Sequence, residues 1–287
     1  MSKILVFGSS GQLGQCLKLI AEEKKVNNIL FFDRLNSDIL SLNLLGELFY
    51  QEHPDFVINC AAYTAVDKAE DEIEQTRKVN RDGAANLALL SKRYGSILIH
   101  ISTDFVFGGK SALPLKETDL TDPVNIYGLT KLEGENAIIK ITERYFILRT
   151  SWLYSEFGNN FVKTMLKLGK QHGQLKVIAD QLGTPTYAID LANCIFHIIN
   201  SSNTSFGIYH YSNQGTASWY DFAKAIFDIS DIPVKVLPIP GSEYITKAKR
   251  PAYSIMNKSK IELIMQIKIP YWHDSLKKCL SQINNSR

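Results

Sequence analysis

The chain has 287 residues, of which 45% are hydrophobic and 21% charged, with a formal net charge of +3. That balance is ordinary for a soluble globular protein of one large domain or two smaller ones. With no long basic run, it argues against nucleic acid as the main partner, while a local basic pocket for an anionic substrate stays open.

The start, M-S-K-I-L-V-F-G, enters a strand-like run directly, so no signal peptide is expected. Ile4–Phe7 is a short apolar run of the kind buried in parallel sheets. It runs into Gly8-Ser-Ser-Gly11-Gln12-Leu13-Gly14 and then into an amphipathic helix over 13–21. Glycines between a strand and a helix allow a tight turn and let backbone N–H groups approach a pyrophosphate at the helix N-terminus. The second strand, Ile29–Phe32, ends in Asp33, about 20 residues beyond the glycines, where a carboxylate binds the adenosine ribose. Asp33 favours the free 2′-hydroxyl of NAD, whereas Arg34 suits the 2′-phosphate of NADP, so NADPH and NADH both remain open. Asp38 and Ile39 lie where an edge of the adenine would come.

Helix is expected over 42–50, a third strand at Phe56–Asn59, and then A-A-Y-T-A-V-D-K-A-E. Small residues at a strand's carboxyl end leave room for a cofactor. The group Thr64, Asp67, Lys68 and Glu70 is more polar than a turn requires, and a helix-capping cluster would also account for it. Helix follows over 70–93, and a fourth strand over 97–101 delivers Ser102, Thr103 and Asp104 to the carboxyl edge of the sheet, where ligands bind. Neighbours in extended chain point to opposite faces, so only one of Ser102 and Thr103 faces the site.

Tyr127 and Lys131 stand in the pattern Tyr-x-x-x-Lys, one helical turn apart and on one face. A cation beside a tyrosine stabilises the phenolate, lowers its pKa and makes it a usable proton donor. Asp122 and Pro123 suit the cap and first position of the helix that carries them.

A fifth strand is expected over 146–149. Beyond it the pattern is more mixed: Trp152, G-N-N-F and a helix, a strand over 175–179, D-Q-L-G-T-P-T-Y, a buried helix over 190–199 bearing His197 as a core histidine, a strand over 208–211, a helix over 218–227, K-A-K-R-P-A-Y-S, and a last helix over 273–283. The alternation gives an α/β fold, a Rossmann-type doubly wound parallel sheet with a smaller carboxyl-terminal substrate lobe. The expected division is a dinucleotide-binding unit at 1–151, with 175–211 returning to it, and a substrate lobe made mainly of 152–287.

Cys16, Cys60, Cys194 and Cys279 are far apart in sequence, which fits no zinc site or disulfide framework and suits a reducing cytoplasm. No ligand spacing suggests a metal. No apolar run reaches the roughly 18–20 residues of a membrane span, so no membrane partner is expected.

The segments A-A-Y-T-A-V-D-K-A-E, S-T-D-F-V-F, V-N-I-Y-G-L-T-K-L-E-G-E, L-R-T-S-W-L-Y, G-N-N-F-V-K-T-M-L, D-Q-L-G-T-P-T and K-R-P-A-Y-S cover nearly the whole chain. Taken in that order, they resemble the extended short-chain dehydrogenase/reductase family, and within it the dTDP-4-dehydrorhamnose reductases. One departure is Lys249 before Arg250, where that family often has a second arginine.

The resemblance implies reduction of dTDP-4-dehydro-L-rhamnose to dTDP-L-rhamnose by hydride transfer from NADPH or NADH. Tyr127 would be the proton donor, Lys131 its partner on the nicotinamide ribose, and Thr103 the hydroxyl that polarises the ketone. Gly8, Gly11, Gln12, Leu13 and Gly14 would surround the pyrophosphate, Asp33, Asp38 and Ile39 the adenosine, and Ala62, Tyr63 and Thr64 the rest of the cofactor. Asp104, Trp152, Val66, Asp67, Lys68, Asn160 and Arg250 would contact the dTDP-sugar. A reductase of another dTDP-4-keto-6-deoxy sugar and a non-catalytic NAD(P)-binding regulatory subunit remain as alternatives. A homodimer is the default for a soluble oligomer.

Overall fold

The computed structural model describes residues 2–201 and 203–285. The first strands are short because each crosses the core once: β1 (Ile4–Phe7), β2 (Ile29–Phe32) and β3 (Phe56–Asn59). Between them lie α1 (Gln12–Glu23) and α2 (Leu42–Glu52). After β3 come α3 (Val66–Ala69), α4 (Ile73–Arg77), a π-helical turn Lys78–Asp82, and α5 (Gly83–Tyr94). The single helix expected over 70–93 is therefore broken. The π turn, a form common at functional sites, turns Asn80 inward, where it is 1% exposed.

β4 (Ile97–Thr103), α6 (Ile126–Ile141) and β5 (Tyr145–Thr150) complete the first half. The cap of α6 corrects the sequence expectation. Asn125, not Asp122, accepts the N–H of Gly128 at 2.7 Å, and the helix starts at Ile126, past Pro123. Then follow β6 (Leu153–Tyr154), α7 (Phe161–Gln171), β7 (Gln174–Ile178), β8 (Leu182–Gly183), β9 (Thr186–Tyr187), α8 (Ala188–Asn200) and β10 (Gly207–His210). The chain ends with β11 (Ala217–Ser218), α9 (Trp219–Ile229), β12 (Lys235–Ile239), α10 (Ser259–Met265) and α11 (Trp272–Asn285).

Six strands form one parallel sheet in the order β2-β1-β3-β4-β5-β10. Alternate residues of β1 feed two cores. Ile4 and Val6 pack with α1 and α8, while Leu5 and Phe7 pack with residues of α2, α5 and α6. Both faces are thus covered, as an all-parallel sheet requires. A third core joins α7, α9 and α11 through Val162, Phe222 and Leu276, beside the sheet. Within 175–211, β10 joins the main sheet and α8 packs on α1, but β7 does not return: it pairs with β12 in a sheet of its own. Among the described residues no helix is long and apolar enough to cross a membrane.

Candidate active site

The strand order reverses between β1 and β3, and in such sheets ligands lie in the crevice beyond the carboxyl ends of the strands at that point. A cavity of about 490 Å³ is found there, and its lining includes Gly8, Gly11, Asp33, Asp38, Ile39, Ala62 and Tyr63. Gly8 has φ +81°, and a Cβ there would stand 2.5 Å from the N of Ala61, so only glycine lets β1 and β3 open into this crevice. Leu13 and Gly14 are buried, and neither they nor Gln12 belong to the cavity lining. Thr64 is exposed and outside the cavity lining. One oxygen of Asp33, Oδ1, accepts the N–H groups of Leu35 and Asn36 and shapes the turn. Arg34 stands 3.7 Å from Asp38. A cleft lined by both the glycine turn and the Asp33 carboxylate fits a dinucleotide.

The second part of the site lies where β4 meets α6. α6 comes close because Gly128 has no side chain: a Cβ there would fall 2.1 Å from the carbonyl of Phe105. This approach sets the ring of Tyr127 edge-on to Phe105, with centroids 5.7 Å apart. The alternation of β4 separates Ser102 from Thr103. Ser102 donates to Glu135 at 2.5 Å on the inner side of α6, while Thr103 donates to Asp104 at 3.1 Å and eases the ionisation of the Tyr127 phenol. Thr103 is thus the hydroxyl beside the tyrosine.

The electrostatics depart from expectation. Burial pushes the Tyr127 phenol up to about 12; Thr103 opposes the rise and Asp104 adds to it. Lys131 is 1% exposed, and its Nζ donates to the carbonyl of Ile101 at 2.6 Å and lies 3.2 Å from His100 Nε2. Burial brings Lys131 down to about 8 and lifts Asp104 to about 6. His100, whose Nε2 lies against Lys131 Nζ and whose own pKa the lysine lowers, and Cys60, which favours the lysine's ammonium, are absent from the residues expected for the site. A histidine within an apolar strand gave no sign of its partner.

Other expected contacts meet one another. Asn160 caps α7 and donates to Gln12 at 2.8 Å, joining the glycine turn to the carboxyl half. Arg250 pairs with Asp67 at 2.7 Å and holds that carboxyl below its usual range. Val66 is half-buried at the start of α3, and Lys68 is exposed. Trp152 has φ +45° and stacks on Trp219 at 3.6 Å, an aromatic partner that no motif pointed to.

A family model described as the RmlD substrate binding domain matches residues 2–285. The dTDP-4-dehydrorhamnose reductase of Aggregatibacter actinomycetemcomitans is 38% identical, with 96% of this chain and 98% of that one covered. The chain belongs to the dTDP-4-dehydrorhamnose reductase family. The family enzyme of Escherichia coli K12 is 37% identical over 98% of this chain and 97% of its own. Among solved structures, the family member from Clostridium acetobutylicum has a TM-score of 0.94 at 41% identity, covering 98% of this chain and 99% of that one. The member from Bacillus anthracis, solved in complex with NADP, has a TM-score of 0.94 at 38% identity, covering 98% and 99%.

Proposed function

We propose that this chain reduces dTDP-4-dehydro-L-rhamnose to dTDP-L-rhamnose, with a reduced nicotinamide dinucleotide as cofactor. The observation that carries the reading is the junction of Thr103 and Tyr127 at the carboxyl end of β4, with Lys131 one turn along α6.

When bound in the cleft beyond β1 and β3, NADPH or NADH supplies the hydride. Gly8, Gly11 and the backbone of Gln12, Leu13 and Gly14 would hold its pyrophosphate, Asp33, Asp38 and Ile39 its adenosine, and Ala62, Tyr63 and Thr64 its middle. Thr103 turns its proton from Asp104 to the ketone oxygen as charge develops there, and Tyr127 gives that oxygen its proton. A phenol pushed up to about 12 stays protonated at neutral pH, the state in which a donor must start. Asp104, Trp152, Val66, Asp67, Lys68, Asn160 and Arg250 are the proposed contacts to the dTDP-sugar. For Arg250 that contact competes with Asp67.

The reading assigns 1–151 to cofactor binding and 152–287 mainly to substrate binding, with α8 and β10 shared with the first unit. It includes a cytoplasmic setting, which the free cysteines Cys16, Cys60, Cys194 and Cys279 suit, and a homodimer. The test is absorbance at the reduced-nicotinamide band with dTDP-4-dehydro-L-rhamnose made in situ. Substrate-dependent oxidation is expected. Tight cofactor binding without oxidation would favour another keto sugar or a regulatory role.

A further inference from the structure

Behind the lysine runs a buried chain of polar groups. The N–H of Ala61 donates to Asn59 Oδ1 at 3.0 Å. A backbone N–H can only donate, so this bond fixes which way the Asn59 amide faces. Its NH₂ therefore points at His100 Nδ1, 3.0 Å away, and Nδ1 must accept. His100 is fully buried, and burial together with Lys131 holds its pKa well below the ordinary value, so the ring is neutral. A neutral ring with a bare Nδ1 carries its proton on Nε2. That N–H lies 3.2 Å from Lys131 Nζ, a group that as an ammonium has no acceptor to offer.

We propose that Asn59 and His100 are positioning residues for Lys131: Asn59 locks His100 as the Nε2–H tautomer, and that N–H favours the amine of Lys131 over its ammonium. This rests on the reductase reading for its catalytic meaning. There it makes Lys131 a stronger acid toward the phenolate left when Tyr127 gives up its proton. The other titratable groups acting on Lys131 pull the opposite way: Glu135, one turn on along α6, and Cys60, just past β3, both favour the ammonium. Glu135 is itself engaged by Arg149 and Ser102. Burial acts against them, and the lysine stands at about 8.

The decisive variant is Asn59→Asp. Its carboxylate still accepts from Ala61, but its second oxygen can only accept from His100, which draws the ring proton to Nδ1 and turns the Nε2 lone pair toward Lys131. Histidine ¹⁵N NMR of the full chain is expected to show Nε2–H in the wild type and Nδ1–H in Asn59→Asp. Lysine ¹³Cε NMR, assigned with Lys131→Arg, is expected to show the Lys131 midpoint rising by roughly 1 pH unit or more in Asn59→Asp. The basic limb of the pH–kcat profile should move with it. A merely structural role would lower the rate at every pH and leave both midpoints in place, and that result overturns the proposal. So does an Nδ1–H ring in the wild type, a reading that needs no variant to fold. If the wild type oxidises no cofactor with any dTDP-4-keto sugar, the reductase reading fails, while both NMR readings still decide the tautomer lock.

Discussion

Arg149 and Glu135 form a buried ion pair, Nη2 to Oε2 at 2.6 Å, with side chains 3% and 1% exposed. The arginine Nε adds a second bond at 2.9 Å, and Ser102 donates to the same carboxylate. The pair fastens the inner side of α6 to β4 and β5 one turn beyond Lys131, so the helix carrying Tyr127 is set from behind. Glu135→Ala leaves a guanidinium buried without its anion. Such a loss costs about 3–5 kcal/mol. Urea denaturation should show it, and a change of under about 1 kcal/mol would mean that the pair does not hold the helix.

Tyr127→Phe removes only the proposed proton donor. General acid catalysis contributes typically about 10²–10⁴-fold. The variant should lose at least that much in kcat, with its fold and cofactor affinity kept, as circular dichroism and fluorescence titration with NADPH would read. Wild-type turnover would exclude Tyr127 from the role.

Thr103→Val deletes the hydroxyl that eases ionisation of Tyr127 and is proposed to polarise the ketone, while keeping the shape of the residue. Loss of one donor at a developing oxyanion costs about 10²–10³-fold in kcat. Ser102→Ala, on the opposite side of the strand, should instead lower stability through Glu135 and spare kcat. Equal kinetic losses in the two variants would contradict the assignment of their faces.

Asp104 carries a cost at neutral pH. It is 1% exposed, and burial raises it from 3.8 to about 6. Between those values the folded chain holds a proton that the unfolded chain has released, so Asp104 makes stability fall as pH rises through that window. Asp104→Asn should be more stable than the wild type at pH 7, by about one to a few kcal/mol. The gain should fade as pH falls below about 6 and vanish near 4. Thermal melts at the two ends of that range measure it. A gain independent of pH would point to packing and not to the charge.

The local parts of this protein were legible. β1 and β2 are unbroken apolar runs, β3 is apolar up to Asn59, and the glycine turn and Tyr127–Lys131 carry their spacing in the sequence. What failed depended on distant partners. Asn125 outcompetes Asp122 as a cap because the chain near Phe105 draws α6 in at Gly128. The break at Lys78–Asp82 is paired through Asn80, which bonds Tyr63 and Thr130. The strand β7 looks like any sheet strand until β12 is found beside it. In the site, the Tyr-x-x-x-Lys spacing suggested a lysine that tunes the phenol. The lysine's bonds instead go to Ile101 and His100, which the motif does not contain.

The most direct test follows a label. Wild-type protein is given dTDP-4-dehydro-L-rhamnose, made in situ, and NADPH carrying deuterium at the transferable nicotinamide position, and the sugar is read by NMR and mass spectrometry. One deuterium at C4 of dTDP-L-rhamnose is the predicted result. Oxidation of the cofactor with no label at C4, or an unchanged keto sugar beside bound cofactor, would contradict it.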